Sequence, residues 1–177
     1  MKYFKLFEQF SAELNEAKET YDYGCVMVYF KCPEISNIQS AIKTEHLDDS
    51  KKGIEDEHHV TLLYGIHSHQ VSDKEVMAAA KGFAGTIELK NVSMFQNECD
   101  VLKFEAVNPT LHACNFNLRQ LPHTSTYPDY VPHSTIAYLK KGMGQRYVDQ
   151  FDDVAYTATP THLVYSKPDG SKITFEI

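Results

Sequence analysis

The sequence predicts an α+β fold with antiparallel sheet in both halves of the chain. Apolar, β-branched strand segments are interspersed with helical patterns along the whole sequence. A length of 177 residues fits one domain with a proper core, and two similar lobes are compatible with it. No linker or low-complexity segment separates the halves, so we expect one domain over residues 1–177.

The elements of the first half are predicted from apolar spacing and from helix-capping signals. In order, we expect an amphipathic helix over 3–19, a buried strand at 25–30, a helix over 33–43, an acidic loop at 44–58, a strand from 59 and a helix over 72–83. The last helix follows a capping box formed by Ser72 and Glu75. The acidic loop lacks the spacing of a calcium loop, which favours a solvated segment.

The second half is predicted in the same way, with turn residues as additional markers. We expect strands at 85–95 and 99–107, a helix over 109–121, a loop at 122–132, a strand from 133, a short helix to about 151, and strands at 156–165 and 172–177. The turn Pro168-Asp169-Gly170 between the last two strands is a strong hairpin signal.

A six-residue pattern occurs twice, and it is the most informative feature of the chain. The copies, 74 positions apart, are His59-Val-Thr61-Leu-Leu-Tyr64 and His133-Ser-Thr135-Ile-Ala-Tyr138. Isolated His-x-Thr triplets would arise by chance at this composition, but the shared apolar pair and tyrosine make coincidence a poor explanation. Residues two apart on a strand share a face, so each copy presents an imidazole beside a hydroxyl.

The same alternation sorts the neighbouring residues. It predicts that Leu63 and Ala137 share the face of the His-Thr pairs. It also predicts that Tyr64 and Tyr138 point the other way, into the core.

Two such strands side by side would supply what phosphodiester cleavage without a metal requires. Histidine can accept or donate a proton near neutral pH, so His59 and His133 would be the base and the acid. Thr61 and Thr135 would donate hydrogen bonds to the non-bridging phosphate oxygens. The sequence leaves open which histidine plays which role.

Charge and composition limit the substrate and the location. A formal charge of −7 argues against broad binding to long nucleic acid, although a short anionic nucleotide remains compatible. The four cysteines form no C-x-x-C pair, which favours free core thiols in a reducing cytosol. There is no run of 18 apolar residues and the N-terminal segment is acidic, so we expect no membrane association and a cytoplasmic protein.

Nucleobase contacts and metal ligands are less well marked. Tyr127 and Tyr130 lie in the loop before the second motif and are candidates for stacking on a base, with packing beneath the loop as the alternative. His67 and His69 lie in a polar stretch where no third ligand can be assigned. We therefore expect no metal and no cofactor.

Paired His-x-Thr strands in a chain of this length resemble the 2H phosphoesterases, a bilobal and metal-independent family. The segment Gly24-Cys-Val-Met-Val and the run Gly53-Ile-Glu-Asp-Glu-His-His-Val-Thr-Leu-Leu-Tyr-Gly65 look like phage 2H phosphoesterases of the anti-CBASS type. Those enzymes degrade the cyclic di- and trinucleotide messengers of bacterial CBASS immunity.

The resemblance implies a bilobal 2H-phosphoesterase-like fold, with two antiparallel-sheet lobes, flanking helices and a central groove. It implies that His59, Thr61, His133 and Thr135 are catalytic, and that the hairpin around residues 166–172 helps to hold a base. The implied location is the cytosol of an infected bacterium.

Two alternatives stay open at this point. Other 2H proteins act on 2′,3′-cyclic ends or 2′–5′ linkages of RNA. A non-catalytic protein that sequesters the messenger is a weaker alternative, because it would not need both complete His-x-Thr pairs.

Overall fold

The computed structural model describes residues 23–51, 53–125 and 127–177. The predicted helix over 3–19 lies outside these residues. Within them the strands are β1 (Gly24–Lys31), β2 (His59–Ile66), β3 (Ile87–Gln96), β4 (Asp100–Val107), β5 (His133–Leu139), β6 (Tyr156–Ser166) and β7 (Lys172–Glu176). The α-helices are α1 (Ile35–Ala41), α2 (Asp73–Ala80), α3 (Pro109–Leu118) and α4 (Gln145–Phe151).

The strands form an antiparallel sheet in the order β2-β1-β6-β3-β4-β5, with β7 also paired to β6. The long strand β6 belongs to both halves. Its first residues, Tyr156 to Ala158, pair with β3, and its later residues pair with β1 and β7. The prediction of an α+β fold with antiparallel sheet in each half is confirmed.

Local signals place the helices and turns where the sequence predicts them. Ser72 accepts a hydrogen bond from the Glu75 backbone N–H, and the Glu75 carboxylate accepts one from the Ser72 N–H, which completes the capping box of α2. Asn108 caps α3 with Pro109 at the first turn. Gly170 adopts a φ of 81° in the β6–β7 turn, a conformation that favours glycine.

The segment before each motif strand pairs with the other motif strand. Leu47 and Ile54 precede β2 and form bridges with Leu139 and Ala137 of β5. His123 precedes β5 and forms a bridge with Ile66 of β2. This exchange brings β2 and β5, the two ends of the sheet path, into contact with each other.

Both motif strands carry a β-bulge directly after the threonine. In β2, Met27 is opposite Thr61 and Val26 is opposite Leu63, so Leu62 is the extra residue. In β5, Lys103 is opposite Thr135 and Leu102 is opposite Ala137, so Ile136 is the extra residue. An extra residue reverses the alternation of faces beyond it.

The bulges correct the prediction from simple alternation. Leu63 and Ala137 are buried with the main core rather than on the face of the His-Thr pairs. Tyr64 packs against the same small cluster as Tyr29, which contacts His59. Tyr138 is buried, as expected, but in a separate cluster against which Phe95, the contact of His133, packs. Both tyrosines therefore lie on the motif face.

The four cysteines are buried and free, as the sequence predicts. No helix within the described part of the chain is long and apolar enough to span a bilayer.

Candidate active site

The two motif histidines are held in the same way. The Nδ1 of His59 lies 2.7 Å from the carbonyl oxygen of Glu57, and the Nδ1 of His133 lies 2.9 Å from that of Val131. A carbonyl oxygen only accepts hydrogen bonds, so each Nδ1 must carry a proton. Each imidazole is thereby oriented by the residue two positions before it, and in the neutral ring its Nε2 carries no proton.

The two imidazoles interact electrostatically, because the charge of His59 affects the pKa of His133. The pKa of His133 is about 4, below its ordinary 6.5, chiefly because burial disfavours the imidazolium. The hydrogen bond to Val131 opposes this shift, whereas the charges of Lys103 and His59 add to it. His133 is therefore neutral at pH 7 and able to accept a proton.

An aromatic ring flanks each histidine, from the adjacent strand β1 for His59 and from β3, two strands away, for His133. On the β2 side, the ring centroids of Tyr29 and His59 are 5.4 Å apart, and Tyr29 also stacks on His162 at 5.0 Å. On the β5 side, Phe95 contacts His133 edge to face at 5.0 Å. These rings restrict the positions of the imidazoles and partly exclude water from them.

The two motif threonines have different neighbours. Thr61 is hydrogen bonded to the thiol of Cys25, whose pKa is raised by complete burial, so the thiol stays protonated. Thr135 lies opposite Lys103 in the β4–β5 ladder, and cross-strand partners share a face. Both threonines are half-buried.

Helix side chains hold the backbone at the bulges. Asn115 of α3 donates to the carbonyl oxygen of Leu62 at 2.6 Å, and Gln39 of α1 donates to that of Ile136 at 3.3 Å. The carbonyl of Thr61 accepts a hydrogen bond from the Tyr130 hydroxyl at 2.9 Å. The strand positions that present the motif are therefore supported from the core side.

The two loop tyrosines occupy different environments. Tyr130 is half-buried against the core, donates its hydroxyl to Thr61 and contacts His112 edge to face. Tyr127 is 41% exposed, and its carbonyl oxygen accepts a hydrogen bond from Arg119 at 2.8 Å. Tyr127 thus remains accessible to a ligand, whereas the position of Tyr130 matches the packing alternative.

Sequence reasoning missed several residues that surround the motif, among them Tyr29, Lys103 and Asn115. Tyr29 could have been found by alternation from the buried strand β1. Lys103 carries a visible signal, because it is a single charge within the apolar run 101–104. Asn115 carries none, because its partner in β2 is 53 residues away.

In residues 23–51, 53–125 and 127–177, no group of three or more His, Cys, Asp or Glu side chains is placed to hold a metal ion. His67 and His69 stack on each other at 5.9 Å, and His67 also lies 2.8 Å from the Thr124 hydroxyl.

Comparison with solved structures defines the fold. The protein is similar to Usb1 of Kluyveromyces marxianus, solved with uridine monophosphate, with a TM-score of 0.54 and 10% identity over 89% of this chain and 99% of that one. It is similar to the MHV ns2 PDE domain, with a TM-score of 0.55 and 16% identity over 88% and 99%. It is also similar to E. coli LigT complexed with 3′-AMP, with a TM-score of 0.50 and 12% identity over 88% and 95%.

The chain therefore has a 2H-phosphoesterase-like fold. At identities this low the likeness defines the fold alone. The sequence matches no protein-family model, and no curated protein sequence matches it.

Proposed function

We propose that the protein is a metal-independent phosphodiesterase that hydrolyses 3′–5′ bonds of cyclic di- and trinucleotide messengers. The observation that carries this proposal is the pair of equivalent histidines on β2 and β5, each oriented by a carbonyl two residues before it. Solved proteins of the same fold hold uridine monophosphate and 3′-AMP, which supports a small nucleotide as the substrate class.

We propose His133 as the general base, because its lowered pKa keeps the imidazole neutral at pH 7. His133 Nε2 takes the proton of a ribose 2′-hydroxyl, and the 2′-oxygen attacks the neighbouring phosphorus. The bond between phosphorus and O5′ breaks as His59 Nε2–H protonates the leaving oxygen. Thr61 and Thr135 donate to the non-bridging oxygens while charge develops there.

This first step opens the ring and leaves a 2′,3′-cyclic phosphate end. The roles then reverse, because His59 is now neutral and His133 carries a proton. His59 removes a proton from water, the hydroxide oxygen bonds to phosphorus, and His133 protonates the departing 2′-oxygen. The second step restores both side chains to their starting protonation states.

We propose that residues at the rim of the site recognise the nucleobases. Tyr127 is exposed and is proposed to stack on a nucleobase. The β6–β7 hairpin, residues 166–172, is proposed to contact a second base, as the resemblance to anti-CBASS enzymes implies. In this role the protein would be phage-encoded and would act in the cytosol of the infected cell, where it removes the immune messenger.

Product analysis on a nucleotide panel tests the proposal. The wild type and the His59→Ala and His133→Ala variants are incubated with 3′,3′-cyclic dinucleotides, a cyclic trinucleotide, 2′,3′-cyclic mononucleotides and 2′–5′ oligoadenylate, with EDTA present. His69→Ala is the matched control, because that imidazole is exposed and bonded to Gln70.

We expect the wild type and the control to linearise the cyclic oligonucleotides, and both motif variants to be inactive. Cleavage of only the 2′,3′-cyclic or 2′–5′ substrates would replace the proposal with an RNA phosphodiesterase. Recovery of intact messenger from a tight wild-type complex would replace it with a sequestering protein. A 2′-deoxy cyclic dinucleotide cleaved at full rate would exclude attack by the 2′-hydroxyl.

A further inference from the structure

Lys103 is a buried cation beside the proposed catalytic centre. It interrupts an apolar stretch of β4 and is only 8% exposed. Its side chain shares a face with Thr135, its partner on β5. The ammonium group donates to the Ser93 hydroxyl at 2.8 Å and lies 4.6 Å from the centroid of the Phe95 ring.

Among the residues that the structure describes, Lys103 forms no ion pair, because no carboxylate lies within ion-pair distance of its Nζ. The carboxylate of Glu105, two positions along the same strand, acts on Lys103 through its charge, and it accepts a hydrogen bond from the Asn91 side chain. Burying an ammonium is costly unless an anion or several acceptors compensate it. One of its three N–H donors is bound to Ser93, which leaves two donors from which an anion could accept.

Strand order places this cation to one side of the proposed reaction centre. The scissile phosphate would lie between His133 on β5 and His59 on β2. The Lys103 ammonium leans the other way, toward Ser93 on β3. Because Nζ and the His133 ring each lie about 5 Å from the Phe95 centroid, they are no more than about 10 Å apart.

A cavity lies beside the group formed by Lys103, Ser93 and Phe95. In the described chain, β3 pairs with β6 only at Ile87 to Leu89, so its later residues border β4 alone. Ser93 and Phe95 are among the residues that line a cavity of about 480 Å³ at this edge, which Gln145 and Val148 of α4 also line and Lys103 does not. An anion approaching from the cavity would meet the Ser93 hydroxyl, whose oxygen accepts from Lys103 and whose proton can be donated onward.

We propose that Lys103, Ser93 and Phe95 form a subsite for a second phosphate of the nucleotide substrate, one nucleoside away from the phosphate being cleaved. Lys103 and Ser93 bind the phosphate oxygens, and the Phe95 ring keeps the lysine in place. The subsite gives the protein a preference for oligonucleotides over mononucleotides. This inference rests on the proposed function only in taking the ligand to be a nucleotide.

Binding of two stable nucleotides tests the subsite without turnover. Adenosine 3′,5′-bisphosphate carries two phosphates on one nucleoside, and 3′-AMP carries one. Dissociation constants for both are measured by titration calorimetry with the wild type, Lys103→Met and Ser93→Ala. Methionine keeps the length of the side chain and is tolerated in an apolar strand, and Lys103→Gln serves as a second variant should Lys103→Met not fold. Lys141→Met is the control, because it removes an exposed lysine in the turn after β5.

We expect the wild type and the control to bind the bisphosphate about tenfold more tightly than 3′-AMP, a factor typical of one charge-assisted hydrogen bond. Lys103→Met should remove that preference and leave the affinity for 3′-AMP within about twofold, and Ser93→Ala should reduce the preference. Equal losses for both ligands would overturn the proposal, because Lys103 would then hold the phosphate that they share. An unchanged preference in Lys103→Met would also overturn it.

The outcome is independent of the proposed activity. If the protein cleaves cyclic dinucleotides but Lys103 does not affect the preference for the bisphosphate, the proposed function stands and the subsite is excluded. If the protein cleaves no nucleotide of the panel but shows the Lys103-dependent preference, the subsite stands and the proposed function is excluded.

Discussion

Asn115 of α3 donates a hydrogen bond of 2.6 Å to the carbonyl oxygen of Leu62, the bulged residue that follows Thr61. In the other half of the molecule, Gln39 of α1 donates to the carbonyl of Ile136, which also accepts the Glu55 N–H at 3.1 Å. Each helix thus supports the motif strand of the opposite half. The support is unequal, because the Ile136 carbonyl has a second donor.

This inequality predicts the stability of two variants. Asn115→Leu should lower the free energy of unfolding by about 1–3 kcal/mol, since it leaves a buried carbonyl without its donor. Gln39→Leu should leave Ile136 supported by the Glu55 N–H, and its cost should come mainly from the lost 2.6 Å hydrogen bond to the Glu55 carbonyl. Asn117→Leu, an exposed change on the same helix, should fall within about 0.5 kcal/mol of the wild type. Urea unfolding measures all three, and equal values for Asn115→Leu and Asn117→Leu would contradict the role of Asn115.

Gly65 allows the loop before β5 to lie against β2. Its φ is +114°, and a Cβ at this position would overlap the carbonyl oxygen of Thr124. Gly82 has a similar φ of +101° but has open space around it. Gly82→Ala should therefore cost about 1–3 kcal/mol from backbone strain alone. Gly65→Ala should cost clearly more, because the loop must also move. Similar unfolding midpoints for the two variants would show that the loop moves away from position 65 without a measurable loss of stability.

The low pKa of His133 predicts where activity falls in acid. If His133 is the base, the acid limb of the kcat/KM profile, on which the rate falls as the base becomes protonated, should lie near pH 4. A base with the ordinary histidine pKa of 6.5 would lose about tenfold of its activity at pH 5.5. The titratable groups that face His133 are His59 on β2 and Lys103 and Glu105 on β4. An acid limb near pH 6.5, with activity falling below it, would remove His133 from the role of base.

The same shift predicts a stability change with a defined sign. The pKa of His133 in the folded protein lies below 6.5, so the unfolded chain binds this proton first as the pH falls. The contribution of His133 to stability is thus complete above pH 6.5 and is lost between about pH 6.5 and 4. His133→Gln should reduce the acid destabilisation in this window, which thermal unfolding at several pH values would measure. An unchanged pH dependence would contradict it.

The motif threonines are expected to act on the transition state. Thr61→Val and Thr135→Val should each lower kcat by about 10²–10³-fold with little change in KM, because each removes one donor to the developing charge. The serine variants should keep most of the activity, since they retain the hydroxyl. Thr157→Val, an exposed change on β6, is the control. Valine variants within threefold of the wild type would exclude this role.

The sequence predicts most of the fold because its signals are local. Alternation and apolar runs define the strands, and Ser72 and Pro109 mark helix starts that the structure reproduces. The bulges at Leu62 and Ile136 were missed, because two successive apolar residues after a threonine also fit an unbroken strand that is buried on both faces.

Much of the site surroundings could not be predicted, because it depends on contacts between distant segments. The motif itself is local, and the repeated pattern identifies it. The support of Leu62 by Asn115 spans 53 residues, and that of Ile136 by Gln39 spans 97. Sequence periodicity does not indicate which distant residues meet. These pairings arise because the segment before each motif strand pairs with the other motif strand.

The most direct test of the account is a mutant cycle on the two histidines, with single-turnover rates on a cyclic dinucleotide. Two groups that act in one proton-transfer mechanism should each cost about 10²–10⁴-fold when replaced by alanine. The double variant should be about as slow as the slower single variant, because the effects of such residues do not multiply. Losses that multiply, or near wild-type rates in either single variant, would show that His59 and His133 do not work together.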